Sequence, residues 1–117
     1  MHSIVVLIPA FNEEKAIGKV LQALPKNSIE AVVIDNGSTD QTAEVARVNG
    51  ATVLYEHKKG YGHACLKGMA YIKTKASKPS IVVFLDGDFS DYPEELNKLI
   101  APIENGIASF FFINDNT

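Results

Sequence analysis

The feature that most constrains the fold is the run at residues 81–88, five apolar residues followed by Asp86, Gly87 and Asp88. Its Val and Ile content predicts a central strand buried on both faces. Residues two apart in a strand project to the same side, and the intervening glycine lets a ligand approach the backbone closely. Two carboxylates at the end of such a strand favour Mg²⁺ or Mn²⁺ carrying a phosphate. For this triplet alone, an ordinary polar turn is the alternative.

Strands and helices alternate along the rest of the chain. Four further strands are predicted, at residues 3–8, 31–34, 51–55 and 107–113. Four helices are predicted, at residues 17–24, about 41–49, about 62–75 and about 93–103. Because proline cannot donate to a sheet ladder, the first strand is expected to end before Pro9. This alternation implies one α/β domain, a mainly parallel Rossmann-like sheet with helices on both faces.

Two local patterns give more detailed expectations. Ser38 followed by Gln41 fits a capping box, which predicts that the Ser38 hydroxyl starts the second helix. In the third helix, the spacing of Cys65, Met69 and Ile72 predicts that these three side chains face the core. The third strand is expected to be less central, because Thr and Tyr interrupt its apolar run.

Composition excludes several classes of protein. A net charge of −3 over 117 residues, with no basic run, argues against a nucleic-acid partner. No apolar stretch approaches the length of a membrane span, and the amino terminus does not have the pattern of a signal peptide. The single cysteine, Cys65, cannot form an internal disulfide, which favours a reducing compartment. A cytoplasmic location is therefore expected.

Polar segments follow four of the predicted strands, at residues 9–13, 35–40, 58–63 and 86–88. In a parallel sheet the carboxyl ends of the strands lie along one edge, so these segments are expected to come together there. Three of them are acidic or polar, and the one at residues 58–63 is cationic and glycine-rich. This mixture suits a nucleoside diphosphate with a divalent metal ion.

In their order and spacing, four motifs resemble those of family 2 glycosyltransferases with the GT-A fold. The motifs are residues 8–14 (IPAFNEE), 33–40 (VIDNGSTD), 59–62 (KGYG) and 84–88 (FLDGD). Residues 92–96 (YPEEL) also match, so the resemblance covers residues 3–103 or so. It is closest to the branch that contains dolichyl- and polyprenyl-phosphate sugar transferases. The resemblance implies that residues 1–117 form a single domain that binds a nucleotide sugar.

The first two motifs imply contacts to the nucleotide. By resemblance, Pro9, Ala10 and Glu13 line the nucleotide pocket, and Asp35 and Asn36 lie by the base. Many relatives have a second aspartate at the position of Asn36, so base recognition in this chain is expected to differ from theirs. Both UDP and GDP remain candidates for the nucleotide. Asp35 is expected to contribute to binding and not to folding.

The other two motifs imply contacts to phosphates and metal. By resemblance, Lys59, Gly60 and Gly62 lie near the nucleotide. Asp86 and Asp88 are expected to hold Mg²⁺ or Mn²⁺ together with the diphosphate, and Asp86 is also expected to contact the nucleotide. The reaction implied is sugar transfer with inversion, to a polyprenyl phosphate or another glycan precursor. The metal ion would neutralise the charge that builds on the leaving diphosphate.

The carboxyl-terminal part departs from the family pattern. A Gly-Ser-Arg type turn is absent after the strand at residues 107–113, and no acceptor-binding half, downstream general base or membrane anchor follows. The chain is therefore expected to be a truncated donor-binding portion that self-associates, most simply as a homodimer. We expect it in the cytoplasm, either free or at the cytoplasmic face of a membrane.

Three alternatives to an active transferase remain. One is a catalytically silent module that binds a nucleotide or nucleotide sugar. Another, a nucleotidyltransferase, is disfavoured because the segment after the first strand is PAFNE and not a glycine-rich basic loop. The last is an α/β interaction domain that binds no nucleotide.

Overall fold

The computed structural model describes residues 4–25 and 29–85 and the backbone of residues 109–113. Strands and helices alternate in it. They are β1 (Ile4–Ala10), α1 (Ile17–Ala23), β2 (Ile29–Asp35), α2 (Thr42–Val48), β3 (Thr52–Tyr55), α3 (Tyr61–Thr74), β4 (Ile81–Leu85) and β5 (Ser109–Ile113). The predicted helix at residues 93–103 lies outside the described residues.

The five strands form one parallel sheet in the order β3-β2-β1-β4-β5. The chain moves outward from β1 to β3, returns through α3 to the other side of β1, and there forms β4. The direction of winding therefore reverses between β1 and β4, the kind of position at which open α/β sheets bind ligands. Edge strand β3 is only partly buried, as its interrupted apolar run predicts.

Alternate residues of the central strands pack on opposite faces of the sheet. One face of β1 contributes Ile4, Val6 and Ile8 to a core that α1 and α2 cover. The other face contributes Val5 and Leu7 to a core that α3 covers. The predicted α/β architecture, a mainly parallel Rossmann-like sheet with helices on both faces, is confirmed.

The prediction that β1 ends before Pro9 is wrong, because β1 continues to Ala10 and Pro9 pairs with Ile34 of β2. Ala10 accepts a hydrogen bond from Asn36 N across the β2 side, at 2.9 Å. Main-chain groups of successive strand residues alternate in direction, so the nitrogen of Pro9 points to the β4 side. The ladder with β4 runs only from Ile4 to Leu7. Because the ladder with β4 ends before Pro9, the missing N–H of the proline removes no hydrogen bond from it.

Helix α3 packs through a narrower surface than its apolar pattern predicts. Ala64, Gly68 and Ile72 are buried, whereas Cys65 and Met69 lie half-buried beside them. A Cβ at Gly68 would lie 2.9 Å from Leu7 Cδ1, so glycine is needed for this close approach. The prediction for Ile72 is confirmed, and the core-facing stripe is rotated toward Ala64 and Gly68. Among the described residues, no helix has the length and apolar character needed to cross a membrane.

A polar cluster joins β2 to the end of α3 at the amino edge of the sheet. Glu30 accepts hydrogen bonds from Lys75 Nζ, at 2.6 Å, from the Tyr71 hydroxyl, and from Thr52 Oγ1, at 3.4 Å. Partial burial raises the pKa of Glu30, but the hydrogen bonds from Lys75 and Tyr71 outweigh it, so the pKa lies below its ordinary value. The same bond to Glu30 raises the pKa of Lys75.

We expect Glu30→Gln to lower the free energy of unfolding at neutral pH by about 1 kcal/mol, since a charged acceptor is lost from a half-exposed cluster. Because the folded-state pKa of Glu30 is depressed, its contribution is present at neutral pH and is lost as pH falls through that pKa. Urea unfolding of parent and variant should therefore show a difference that shrinks below the ordinary pKa of glutamate, about 4.3.

The matched control for this experiment is Glu44→Gln, which removes an exposed carboxylate paired with Arg47 within α2. It should change stability little at either pH. A Glu30 difference that stays constant down to pH 3 would contradict the electrostatic explanation.

Candidate functional site

The carboxyl edge of the sheet collects most of the predicted site residues. The segments that leave β1, β2 and β3 are called here the first (residues 11–16), second (36–41) and third (56–60) exit loops. Eight predicted site residues lie in these loops or directly beside them: Pro9, Ala10, Glu13, Asp35, Asn36, Lys59, Gly60 and Gly62. Asp86 and Asp88 lie outside the described residues, immediately after Leu85, the last residue of β4.

Asn12 connects the first exit loop to the second through its main chain and its side chain. Its N–H donates to Ser38 Oγ at 2.8 Å, and its Oδ1 accepts from Thr39 N at 2.8 Å. The backbone φ of Asn12 is 53°, a left-handed value that asparagine tolerates better than most residues. This conformation lets both groups of Asn12 meet the second loop.

The next two residues extend these contacts to the start of α2. Glu13 N donates to Thr42 Oγ1 at 2.8 Å, and Glu14 N donates to Asp40 Oδ2 at 3.2 Å. In return, Gln41 N donates to Glu14 Oε1 at 2.9 Å. Residues 12–14 and 38–42 thus form an exit-loop network, in which each loop satisfies polar groups of the other.

Asp40, and not Ser38, binds the first N–H of α2. Its Oδ1 accepts from Thr42 N at 2.9 Å, and no side chain caps the helix from Gln41. Desolvation raises the pKa of Asp40, but hydrogen bonds from Thr42 and Glu14 lower it below its ordinary value. The predicted capping box of Ser38 and Gln41 is therefore wrong: Ser38 Oγ instead bonds Asn12.

Asp35 has a structural role that its sequence position did not predict. It is the last residue of β2, only 5% exposed, and its Oδ1 accepts from Ser38 N at 2.9 Å. Its main-chain oxygen accepts from Glu56 N at 3.0 Å, which ties the third exit loop to β2. The carboxylate thus helps to shape the second exit loop, in addition to any contact with a ligand.

Asn36 uses its whole carboxamide on the third exit loop. Its Nδ2 donates to the carbonyl oxygens of Glu56, at 3.0 Å, and Lys58, at 2.8 Å, and its Oδ1 accepts from Gly60 N at 3.0 Å. The residue is 8% exposed. These bonds hold a cationic loop over the end of β2.

The third exit loop extends beyond β2 toward β1. Lys59 Nζ lies 4.7 Å from the centre of the Phe11 ring, a cation–π contact with the first exit loop. The loop begins at edge strand β3, so it spans the end of β2 to reach the side of the sheet where the winding reverses. Gly60, with a φ of 121°, then turns the chain into α3.

The sequence analysis expected residues 9–13 and 35–40 to meet at this edge, but it gave no individual role to Phe11, Asn12, Thr39 and Asp40. It did not single out Glu14 and Thr42. The available signal was the presence of two polar runs, residues 12–14 and 38–42, at neighbouring strand ends. Among the residues that the structure describes, no group of three or more His, Cys, Asp or Glu side chains could hold a metal ion. Metal ligation therefore stays a prediction for Asp86 and Asp88.

The exit-loop network predicts a cost for removing one buried hydroxyl. Thr42 is fully buried, and Thr42→Val would remove the hydroxyl that accepts from Glu13 N and donates to Asp40 Oδ1. We expect the free energy of unfolding to fall by about 1–3 kcal/mol, measured by thermal or urea unfolding. Thr74→Val, which removes an exposed hydroxyl bonded to Tyr71 O, is the control and should cost less than about 0.5 kcal/mol. Equal losses would contradict a special role for the network.

Comparison with known proteins identifies the family. The family model for glycosyl transferase family 2 matches residues 5–115. An uncharacterized glycosyltransferase of Mycobacterium tuberculosis is 38% identical over 104 residues, which cover 89% of this chain and 45% of that protein. The 4,4'-diaponeurosporenoate glycosyltransferase of Staphylococcus aureus is 38% identical over 94 residues, covering 74% of this chain and 24% of that enzyme.

Solved structures agree with this result. Glucosyl-3-phosphoglycerate synthase from Mycobacterium tuberculosis, crystallised with Mn²⁺, UDP-glucose and glycerol 3-phosphate, superposes with a TM-score of 0.71 at 31% identity. The match covers 86% of this chain and 39% of the synthase. The chain thus spans less than half the length of each of these three relatives. The family model and the relatives together show that the chain belongs to glycosyltransferase family 2.

Proposed function

We propose that the carboxyl edge binds the nucleotide of a nucleotide-sugar donor and that the chain serves an inverting, metal-dependent glycosyl transfer. The main support is the third exit loop, which carries Lys59 across the end of β2 to the first exit loop. A cation held there can meet the negative charge of a diphosphate. Family membership supports the same assignment.

The nucleotide is proposed to lie along the three exit loops. Pro9, Ala10 and Glu13 line its pocket, and Asp35 and Asn36 lie on the side of the base. Lys59, Gly60 and Gly62 approach the phosphates, where the start of α3 carries no acidic residue in its first turn. The positive end of the α3 dipole then adds to the attraction from Lys59.

Asp86 and Asp88 are proposed to hold the divalent metal ion. Their carboxylate oxygens are the hard donors that Mg²⁺ and Mn²⁺ prefer. In sequence they follow β4, one of the two strands between which the winding reverses. When bound, the metal ion neutralises charge on the leaving diphosphate. The glucosyl-3-phosphoglycerate synthase crystallised with Mn²⁺ and UDP-glucose supports this choice.

The acceptor is proposed to be a polyprenyl phosphate, in line with the branch of the family that the motifs resemble, or another glycan precursor. A polyprenyl phosphate is already anionic, so transfer to it requires no general base, whereas an alcohol acceptor would need one. A cytoplasmic location, at the cytoplasmic face of a membrane, fits a lipid acceptor. A catalytically silent module that binds the nucleotide sugar is the second candidate.

We expect UDP or GDP to bind more tightly with Mn²⁺ than without it, and Asp88→Asn to abolish most of that difference. The substitution keeps the shape of the side chain and removes one charge. Calorimetric titration of each nucleotide, with and without Mn²⁺, measures the effect. Glu44→Gln, which removes an exposed charge on α2, is the control and should leave it unchanged.

Equal affinity with and without Mn²⁺ in the parent protein would contradict the metal-dependent proposal. Metal-dependent binding without sugar transfer, even when polyprenyl phosphate is supplied, would favour the silent module. Failure of both nucleotides to bind would favour an interaction domain.

We also propose that the isolated chain self-associates as a homodimer. Among the strands that the structure describes, β5 lies at one edge of the sheet, and its sequence, SFFFI, carries three consecutive aromatic residues. Edge strands of this composition favour pairing with a second chain. Sedimentation velocity should therefore show a concentration-dependent dimer. Phe111→Lys should weaken the dimer if this side chain faces outward and should unfold the protein if it faces the core, which thermal unfolding distinguishes. A monodisperse monomer at high concentration would contradict this proposal.

A further inference from the structure

We propose that Asn36 is a positioning residue: its carboxamide anchors the third exit loop and thereby places Lys59 for the diphosphate, and it does not read the base. The inference rests on the proposed nucleotide site and assigns Asn36 a different task within it. It follows from where the loop runs and from how the carboxamide is bonded.

The third exit loop has to cross an intervening strand. It leaves the sheet at β3, whereas Lys59 contacts Phe11 beyond the end of β1, and β2 lies between them. Asn36 is the first residue after β2, so it stands directly at this crossing. The main-chain oxygen of Asp35, the residue before it, holds only the start of the loop, through Glu56 N.

The chemistry of the side chain matches the loop backbone. A carboxamide offers two N–H donors and one carbonyl acceptor. The donors meet the Glu56 and Lys58 carbonyls at 3.0 and 2.8 Å, and the acceptor meets Gly60 N at 3.0 Å. Both donors are therefore already used when the base arrives, and the side chain is nearly buried.

These three bonds bracket Lys59. They fix the carbonyl before it, that of Lys58, and the N–H after it, that of Gly60, so the Lys59 backbone can move little while Asn36 is bonded. Lys58 N is itself held by Glu56 Oε2 at 2.9 Å, which makes the loop compact. An aspartate at position 36 could accept from Gly60 but would face two carbonyl oxygens with no proton to donate.

The experiment compares ligands with and without phosphates. UDP and uridine are titrated by ligand-observed NMR against the parent, Asn36→Asp and Asn36→Ala. We expect both variants to lose UDP affinity by about tenfold, the loss of one charge-assisted contact, while uridine affinity changes less than about twofold. Asn49→Asp is the matched control, because Asn49 also donates its amide to a main-chain carbonyl, that of Val45, but at the far end of α2.

Hydrogen exchange of the free proteins gives a test that needs no ligand. Amides of residues 56–60 should exchange faster in both Asn36 variants and not in Asn49→Asp, while thermal unfolding verifies that all variants fold. Equal losses of UDP and uridine affinity with unchanged exchange would overturn the proposal and make Asn36 a base contact. If the parent binds GDP and not UDP, GDP and guanosine replace UDP and uridine in the same titrations. Failure of the parent to bind either diphosphate would overturn the proposed function, whereas unchanged exchange alone would overturn the anchor.

Discussion

The hydrogen bonds between the first and second exit loops are the interaction on which the carboxyl edge depends. The second loop and the start of α2 supply acceptors for main-chain donors of the first loop: Asn12 N is bonded by Ser38, Glu13 N by Thr42 and Glu14 N by Asp40. Unmet main-chain donors at a partly buried edge would be costly. The parallel pairing of β1 with β2 brings the two loops together, and the network then fixes the floor on which a ligand would rest.

A second layer is built on this floor. Asp35 and Asn36 connect the end of β2 to the third exit loop, one through its main chain and the other through its side chain. The carboxylates of Asp35, Glu14 and Asp40 accept hydrogen bonds from main-chain N–H groups, and the Asn36 carboxamide is bonded to the backbone of the third loop. The cationic third loop is thus held by polar side chains that are already bonded to backbone.

The sequence predicted the sheet because burial on both faces leaves a strong signal. The unbroken apolar runs of β1, β2 and β4 and the helical stripe of α1 were all recognisable, and motif order identified the family. Hydrogen-bond partners could not be predicted in the same way. From the sequence alone, Ser38 and Asp40 are both candidates to cap α2. The structure distinguishes them because Ser38 Oγ accepts a hydrogen bond from Asn12 N, 26 residues earlier in the chain.

Similar reasons explain the other differences. Pro9 stays within β1 because its nitrogen points to the β4 side, where the ladder with β4 has already ended at Leu7. The end of that ladder depends on how the two strands pair, and the residues next to Pro9 do not reveal it. The buried stripe of α3 includes Gly68, which a pattern of apolar residues does not reveal because glycine has no side chain. Close packing against Leu7 nevertheless requires glycine there. The part of the site after β4 rests on the motif alone.

The close approach at Gly68 has a mechanical consequence. With no side chain between α3 and Leu7, the backbone of the helix lies directly against the sheet at that point, and a larger residue would displace the helix. Gly60 lies eight residues nearer the amino terminus, about 12 Å along the helix axis, so a tilt of about 5° would move the third exit loop by about 1 Å. The packing at Gly68 therefore bears on the position of Lys59 from the middle of the core, in addition to the local restraint that Asn36 provides.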